Sequence, residues 1–558
     1  MDNTRSYWNG RKAVHRRTML KAAGYSDSDI RKKPHIGIAN SYMEGSPGSA
    51  HLRQITEYVK QGIWAAGGIP VEFGIPATCG NMANGAESLK YEQAGRDIVA
   101  ASIEFVTKVH NFDGLVTVAS CDNIIAGCYL AQARLNLPTL CVTGGCMQHG
   151  CYKGKKVVEA ELDVAVLGGE SEETVLDMED YVCPSFGACP SMGTANTMQM
   201  TGEILNLVAP GTGTIPASDN QKLRKSRDAG KLIVEMTKAG RTPRQLMTKE
   251  TFKNAIAFVM AVAGSTNVVL HLMSIAREVG IEITLDDFDE YAKKVPCIAG
   301  VIPSGPYTVV DFHYAGGALK VMKNIEKQLY TDVPTVDGRT WKELLATIPE
   351  GENDVIKTLD KPLFNKPGLK VLRGNLAPNG SIIRPTGVPE EMETFTGKAK
   401  VFSNDFESLE AIERGEIVAG DVIVIRYEGC KGAPGMKELM LTTDALIGYG
   451  LHKSVGLVSD ARFSGFNYGA IVGHVSPEAA DGGPIALVED GDTITVDTIN
   501  GVVTLEVPED VLEERRKNWV CPEPKVEKGC LAIYAQNCRP AEEGGAMQPW
   551  DLEKGLQD

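Results

Sequence analysis

Short apolar runs alternate with longer amphipathic stretches through the first part of the chain. The short runs, each bounded by turn-forming residues, are residues 35–39, 115–119, 139–143 and 163–168. Such runs are typical of strands buried on both faces of a parallel sheet. Between them, residues 51–65 place apolar side chains on one helical face, and residues 94–109 and 124–136 are two further candidate helices. This alternation predicts a doubly wound α/β domain.

The middle of the chain, from about residue 190 to 350, is predicted to be mostly helical. The candidate helices there are residues 219–239, 250–262, 266–279 and 317–329. We find neither an internal repeat nor a low-complexity segment in this part. We therefore expect a helical extension of the first domain.

After residue 360 the pattern changes to Pro-, Gly- and Asn-rich sequence followed by short β-rich segments. These segments are residues 398–402, 420–426, 455–459, 485–488, 492–497 and 501–506. Short strands joined by Gly-rich turns predict a β-barrel-like domain. The expected organisation is an α/β domain over residues 1–365 and a barrel-like domain over residues 370–558.

Composition and charge argue against some classes of function. The chain has 57 Lys and Arg against 72 Asp and Glu, a net charge of −15, without a basic cluster of the kind that binds nucleic acid. The N-terminus lacks an apolar secretory segment, and no apolar run is long enough for a membrane span. We expect a cytoplasmic protein with neither a nucleic-acid nor a membrane partner. In that setting the 13 Cys predict thiols rather than a disulfide framework.

Two Cys-containing segments are candidates for metal chemistry. Cys121 and Asp122 directly follow the predicted strand 115–119, where α/β folds place ligands. Cys183 and Cys189 lie six positions apart in a Gly-, Pro- and Ser-rich loop, where a thiolate would suit iron. Taken alone, neither segment is specific, because a buried structural Cys and a turn Asp produce the same pattern.

Three further Gly-rich segments carry polar side chains. Residues 77–87 contain Cys79 and Glu87, residues 426–438 end in Glu438, and residues 459–465 contain Ser464. Each is equally typical of a surface turn. No GxSxG, Walker A or GxGxxG pattern offers a competing site.

In their order along the chain, these segments resemble the dihydroxy-acid dehydratase/6-phosphogluconate dehydratase family. The segments that carry the resemblance are Asn40-Ser41-Tyr42, Ser120-Cys121-Asp122, Gly144-Gly145, Ala188-Cys189, residues 192–198 (MGTANTM), residues 263–272 (AGSTNVVLHL), Gly374-Asn375-Leu376-Ala377, RYEGCKGAPGMKE, DARFSG and GHVSPEA. The resemblance implies an N-terminal α/β domain, a C-terminal barrel-like domain and a site between them. It also implies a homodimer or a dimer of dimers.

Members of this family are iron–sulfur hydro-lyases that convert a 2,3-dihydroxy acid or sugar acid to a 2-keto acid. By resemblance, Cys121 and Cys189 match cluster ligands, and Asp122 and Glu438 match Mg²⁺ ligands. Ser464 matches the residue that takes the C2 proton.

The sequence departs from the family pattern at three positions. A Lys that is usually carbamylated and bound to Mg²⁺ is replaced by Asn123, and an Asp ligand is replaced by Gly80. These two replacements leave Mg²⁺ binding open. The first cluster Cys of many members falls at Gly48, so the third cluster ligand has to come from elsewhere.

Two other Cys are candidates for that third ligand. Cys79 is the first choice because it lies beside Gly80, and Cys183 is the second because it shares a loop with Cys189. Glu87 could supply a carboxylate to the metal site. A 4Fe–4S cluster is favoured over a 2Fe–2S cluster.

The sequence therefore predicts an iron–sulfur hydro-lyase that acts on a small hydroxylated carboxylate. One alternative is a different cluster-dependent lyase or isomerase with an atypical substrate, motivated by the missing Mg²⁺ ligands. The other is a non-catalytic, cluster-binding paralogue. The identity of the substrate is left open, since branched dihydroxy acids, sugar acids and phosphorylated sugar acids all occur as substrates in the family.

Overall fold

A four-stranded parallel sheet forms the centre of the first half of the chain. The computed structural model describes residues 7–463 and 465–550. The strands of this sheet are β1 (His35–Asn40), β2 (Ile69–Gly74), β3 (Gly114–Ala119) and β4 (Thr139–Thr143), in the order β2-β1-β3-β4. β1 and β3 are buried along their whole length, as expected for the two central strands. A small antiparallel hairpin of β5 (Gly150–Tyr152) and β6 (Lys155–Val157) follows.

Helices cover the sheet, and further helices form a large region beside it. The first helices are α1 (Val14–Ala22), α2 (Asp27–Lys32), α3 (Leu52–Ala65), α4 (Tyr91–His110), α5 (Asp122–Leu135), α6 (Glu159–Leu167), α7 (Glu172–Val182) and α8 (Thr194–Ile204). The extension contains α9 (Asn220–Ala239), α10 (Pro243–Leu246), α11 (Lys249–Val262), α12 (Asn267–Glu278), α13 (Leu285–Ala292), α14 (Val309–Tyr314), α15 (Gly317–Asn324) and α16 (Trp341–Leu345). Its core helix α11 is almost entirely buried, which explains its near-continuous apolar sequence.

The prediction of a strand at residues 163–168 is wrong, because this segment lies in α6. The Glu161 carboxylate accepts a hydrogen bond from the Val158 backbone N–H at 2.8 Å. That contact satisfies one of the free donors at the start of a helix and fixes where the helix begins. Val166, in the middle of the apolar run, is exposed. The fourth strand of the sheet is instead β2, which the sequence reading did not include.

An eight-stranded sheet forms the centre of the second half. Its strands are β7 (Lys370–Leu372), β8 (Gly380–Ile383), β9 (Thr394–Phe402), β10 (Asp421–Ile425), β11 (Gly456–Ser459), β12 (Ile471–Ser476), β13 (Thr493–Asp497) and β14 (Val502–Leu505). They are ordered β14-β13-β9-β10-β11-β12-β8-β7. Arg373, directly after β7, bridges Val502 on the opposite edge, so the sheet is nearly closed. The barrel-like architecture is confirmed.

Residues 485–488 were predicted to be a strand, and this prediction is also wrong. The structure has a 3₁₀ turn at Pro484–Leu487 whose apolar side chains enter the barrel core. Pro484 lacks the N–H that a ladder needs. The helices of this half are α17 (Asp405–Glu413), α18 (Met440–Gly448), α19 (Glu509–Asn518) and α20 (Cys530–Asn537).

The end of the described chain returns to the first half and packs against α4. Arg96, which is fully buried in α4, donates hydrogen bonds to the carbonyls of Gly544 and Gly545 at 3.2 and 2.8 Å. The neighbouring Asp97 accepts from the Met547 N–H at 2.8 Å. These contacts join the two halves close to the carboxyl edge of the parallel sheet.

The mixed α/β fold class predicted from the sequence is confirmed. Among the residues that the structure describes, no helix is both long and apolar enough to cross a membrane.

Candidate active site

The loop after the central strand β3 places Cys121 and Asp122 at the carboxyl edge of the sheet. Cys121 is the N-cap of α5, and its carbonyl accepts from the Ile125 N–H at 2.9 Å. Asp122 lies in the first turn of the same helix. The positive end of the helix dipole favours anionic side chains at both positions.

Cys79 reaches the same place from the loop after β2. Its thiol is hydrogen-bonded to that of Cys121, and this contact, helped by the backbone N–H groups of Asn81 and Met82, lowers the pKa of Cys79 to about 7. The same contact and burial raise the pKa of Cys121. Cys79 is therefore the member of the pair that most readily becomes a thiolate, the form that binds metals.

Cys189 completes a group of three thiols. The side-chain amide of Asn81 lies 3.6 Å from its sulfur, with the nitrogen as donor. Burial raises the pKa of Cys189, and the nearby charges of Glu159, Cys79 and Asp122 raise it further. Sequence segments about 110 residues apart are thus brought together as a donor set typical of iron–sulfur sites.

Gly48 explains how this arrangement accommodates Cys121. A Cβ built on Gly48 would lie 2.2 Å from the sulfur of Cys121. The absence of a side chain at Gly48 leaves the space that the Cys121 thiol occupies. Cys183, the second candidate for the third ligand, is exposed at the C-terminal end of α7 and lies at the rim of the group.

Buried carboxylates lie beside the thiols. Burial raises the pKa of Asp122 to about 8, the charges of Glu438 and Glu92 add to this effect, and Arg462 partly offsets it. Glu438 accepts from the Asn267 amide at 2.6 Å and from the Arg462 guanidinium at 2.7 Å.

Glu92 is a further buried carboxylate, and it is hydrogen-bonded to Asn123. The Asn123 amide nitrogen donates to Glu92 at 3.4 Å, and both side chains are buried. The Asn123 side-chain oxygen is buried without a hydrogen-bond partner among the described residues. Thus the residue that replaces the family's Lys is in contact with a carboxylate that the sequence reading missed.

Glu87 is paired with two lysines. Its carboxylate pairs with Lys90 at 2.9 Å and with Lys437 at 3.5 Å, and its side chain is 58% exposed. In the described part of the chain, no recorded contact joins it to Asp122 or Glu438.

A pocket of about 60 Å³ opens beside these groups. It is lined by Asn81, Asp122, Glu159, Ala160, Asp163, Cys189, Ser191, Gly193, Thr194, Ala195, Asn196, Glu438, Met440, Gly465 and Phe466. Among the described residues that line it, none is Lys, Arg or His. The pocket is therefore lined by carboxyl groups without a basic side chain among the described lining residues.

Ser464 lies outside the described residues. The glycine that follows it packs against the start of α8, because a Cβ on Gly465 would lie 2.9 Å from the Gly193 Cα. Gly465 and Phe466 line the pocket. The role of Ser464 therefore stays a prediction.

In the described part of the chain, no three His, Cys, Asp or Glu side chains are already close enough together to hold a metal ion. The chemistry of the three thiols nevertheless fits an iron–sulfur cluster. Cys79 and Cys121 are hydrogen-bonded to each other, and Cys189 is near enough to interact electrostatically with both. The buried Asn123 oxygen and the paired carboxylates fit a hard divalent cation.

Comparison with known proteins identifies the family. The model described as dihydroxy-acid/6-phosphogluconate dehydratase N-terminal matches residues 33–344, and the corresponding C-terminal model matches residues 354–545. The chain belongs to the dihydroxy-acid/6-phosphogluconate dehydratase family.

Individual relatives of this family align over nearly the whole chain. A protein named dihydroxy-acid dehydratase from Acetivibrio thermocellus is 42% identical over 543 residues, which cover 96% of this chain and 98% of the relative. One from Pyrococcus furiosus is 43% identical over 545 residues, with 96% and 98% covered. One from Methanococcus aeolicus is 41% identical over 537 residues, with 95% and 97% covered.

The predicted family and enzyme class are therefore confirmed: the chain is a hydro-lyase of the dihydroxy-acid/6-phosphogluconate dehydratase family. Neither alternative, a different cluster-dependent enzyme or a non-catalytic paralogue, is favoured.

Sequence reasoning missed three carboxylates of the site, Glu92, Glu159 and Asp163. Each lies on a helix, where acidic residues usually face solvent. Spacing offered one signal, because Glu159 and Asp163 are four residues apart and share a helix face.

Proposed function

We propose that this enzyme removes water from a hydroxylated carboxylate, a 2,3-dihydroxy acid or sugar acid, and gives a 2-keto acid. The observation that carries the proposal is that Cys79, Cys121 and Cys189 lie close together. Of these, Cys189 lines one pocket together with Asp122 and Glu438. The relatives named dihydroxy-acid dehydratase support the same reaction.

We propose Cys79, Cys121 and Cys189 as the ligands of an iron–sulfur cluster, with a 4Fe–4S cluster favoured. When bound, such a cluster would supply a Lewis-acidic iron for the leaving C3 hydroxyl. Cys79 is preferred to Cys183 because its thiol contacts Cys121 directly, whereas Cys183 is exposed at the rim.

The carboxylates have a separate role in the proposal. Asp122, Glu438 and Glu92 would hold a divalent cation such as Mg²⁺, with Glu92 in place of one of the two anionic ligands lost at Gly80 and Asn123. Asn267 and Arg462 orient Glu438 through their hydrogen bonds. The cation would neutralise the substrate carboxylate in a pocket without basic lining residues.

Ser464 is proposed to take the C2 proton. Loss of that proton and of the C3 hydroxide gives an enol and one water, and the enol tautomerises to the 2-keto acid. The family pattern supplies this residue, and the position of its neighbours Gly465 and Phe466 at the pocket supports the assignment.

The proposal also covers the substrate class, the oligomeric state, the location and the domain division. We propose a small-molecule hydroxy-acid substrate, a homodimer or dimer of dimers, and a cytoplasmic location. The division into residues 1–365 and 370–558, with the barrel-like half completing the site, also remains a proposal. Its support is that Cys121 and Glu438 come from the two different halves.

The ligand assignment can be tested by counting iron and acid-labile sulfide per chain after anaerobic purification. Cys79→Ser should lose most of the cluster, because a serine hydroxyl is a harder and less acidic ligand than a thiol. Cys183→Ser should lose little. Cys151→Ser, at an exposed Cys of the β5–β6 hairpin, is the matched control.

Unchanged iron in Cys79→Ser together with loss of iron in Cys183→Ser would assign the third ligand to Cys183. Parent protein that binds neither iron nor sulfide under anaerobic conditions would contradict the cluster proposal itself.

A further inference from the structure

A buried guanidinium lies behind one wall of the pocket. Arg384 directly follows β8, and its side chain is 2% exposed. The guanidinium donates hydrogen bonds to the backbone carbonyls of Gly465 and Asn467. Gly465 and Phe466 line the pocket. Arg384 is therefore bonded directly to the segment of the barrel-like half that borders the pocket.

This guanidinium has no acidic partner among the described residues. Burial lowers the pKa of Arg384 to about 10, and the groups that oppose this effect are Tyr468 and Cys297 rather than a carboxylate. The Nε atom of Arg384 is buried without a hydrogen-bond partner in the described part of the chain. A buried charge without a counter-ion costs stability. Departures of this kind from stable packing are expected at functional sites.

The segment that Arg384 holds also packs on the first half of the chain. A Cβ on Gly465 would lie 2.9 Å from the Cα of Gly193, which is the N-cap of α8. The Tyr468 hydroxyl donates to the Pro303 carbonyl at 2.9 Å. The segment is thus held from both halves, and Arg384 supplies the contact from the barrel-like half.

Gly387 leaves the space in which this contact forms. A Cβ on Gly387 would lie 2.9 Å from the Asn467 carbonyl oxygen and 3.3 Å from Nη2 of Arg384. The Gly387 carbonyl accepts from the Gly469 N–H at 2.9 Å. The turn after β8 and the segment are therefore packed too closely for either to move alone.

We infer that Arg384 is a positioning residue, whose guanidinium fixes the backbone that directly follows Ser464 and so fixes the approach of this base to the substrate. The inference rests on the proposed role of Ser464 in the dehydration. A displacement of about 1 Å in a reacting group can cost roughly 10²-fold in rate. The loss of Arg384 should therefore slow removal of the C2 proton and leave substrate binding nearly unchanged.

The test measures kcat, KM and iron per chain of the anaerobically purified enzyme, with gluconate and with 2,3-dihydroxyisovalerate as substrates. Arg384→Met keeps the length of the side chain but removes its donors. We expect kcat to fall by about 10²-fold, with KM within about threefold of the parent value and the iron content unchanged. Arg384→Lys can still donate to a carbonyl and should recover kcat to within about tenfold of the parent.

A second readout separates positioning from general damage to the structure. The C2-deuterated substrate should react several-fold more slowly than the ordinary substrate in Arg384→Met, because proton removal is the step that is impaired. Gly387→Ala should show the same pattern, since its Cβ disturbs the same contact without removing the charge.

Arg17→Met is the matched control. Arg17, on α1, is also buried, and it also donates to two backbone carbonyls, those of Trp8 and Gly10, both at 2.9 Å. Its loss should lower the thermal unfolding midpoint and leave kcat of the iron-loaded protein unchanged.

Three outcomes would overturn the inference while leaving the proposed reaction intact. The first is a folded, iron-loaded Arg384→Met with the parent kcat. The second is a slow Arg384→Met without an isotope effect, which would show that another step is impaired. The third applies where Arg384→Met does not fold, and it is the parent kcat in both Arg384→Lys and Gly387→Ala. Iron-loaded parent enzyme that dehydrates neither acid would overturn the proposed function together with this inference.

Discussion

At the scale of single residues, Gly48 and Cys79 carry the proposal for the third cluster ligand. A side chain at Gly48 would collide with Cys121, and Cys79 contacts Cys121 from the loop after β2. The two features are complementary. The missing side chain at Gly48 leaves space for the Cys121 thiol, and Cys79 contacts that same thiol. The departure from the family pattern at Gly48 is thus consistent with an intact group of three thiols.

Gly48→Ala is expected to lower the iron content of the anaerobically purified protein at least several-fold. Its Cβ would lie 2.2 Å from the Cys121 sulfur and would displace that ligand. Gly45→Ala is the control, because its Cβ would meet only the end of the flexible Met43 side chain at 3.6 Å. Full iron content in Gly48→Ala would show that Cys121 does not need this position to bind the cluster.

Ser464→Ala is expected to keep the fold and the iron but to lose nearly all turnover. A positioned base contributes roughly 10²- to 10⁴-fold to rate, whereas removing one hydroxyl should cost under roughly 1 kcal/mol of stability. The measurements are kcat, iron per chain and the thermal unfolding midpoint. A variant that retains most of the parent kcat would rule out Ser464 as the base.

Cys121, Asp122, Cys189 and Glu438 were predicted through the resemblance of their segments to the dehydratase family, because none of these segments is specific on its own. Glu92 could not be found in this way. An acidic residue on a helix is indistinguishable in sequence from one on a solvated face, and only the tertiary structure shows that it is buried beside Asn123.

At the scale of elements, the helices that pack on the parallel sheet make close contacts with one another. α3 and α9 cross at two glycines, Gly62 and Gly230, whose Cα atoms face each other. A Cβ on Gly62 would lie 2.0 Å from the Arg227 carbonyl oxygen. Because backbone atoms cannot yield as a flexible side chain can, this contact fixes the distance between the helices.

Gly62→Ala is therefore expected to destabilise the protein by about 1–3 kcal/mol, the usual cost of overpacking. Gly95→Ala is the opposite case, because Gly95 lies inside α4 with no atom within 4 Å of a built Cβ. That change should be neutral or stabilising by up to about 1 kcal/mol. Unfolding in urea measures both, and equal stability of the two variants would contradict the packing argument.

The strands β1, β3 and β4 could be predicted because they are completely buried apolar runs. The helices α3, α4, α5, α9, α11, α12 and α15 could also be predicted from the sequence. Residues 163–168 could not. A short apolar run has no periodicity of its own, and the hydrogen bond between Glu161 and Val158 that starts the helix lies outside the run. The 3₁₀ turn at Pro484–Leu487 was missed for a similar reason, since buried turns and buried strands have the same composition.

At the scale of the whole molecule, both halves contribute to one site. The parallel sheet supplies Cys79, Cys121 and Asp122 from the ends of its strands, and the barrel-like half supplies Glu438. The end of the described chain holds the halves together by packing the carbonyls of Gly544 and Gly545 on Arg96. The shared pocket is acidic and contains soft and hard donors side by side, which suits a reaction that must bind both a hydroxyl and a carboxylate.

The most direct test of this account is a mass-spectrometric search for dehydration by the anaerobically purified enzyme. It is incubated with gluconate and 2,3-dihydroxyisovalerate, and the products are analysed for an acid that has lost one water and reacts as a 2-keto acid. We predict that the product forms and that its rate falls together with the iron content when the protein is exposed to air. Iron-loaded protein that produces no such acid, or protein that keeps its full rate after its iron is removed, would contradict the account.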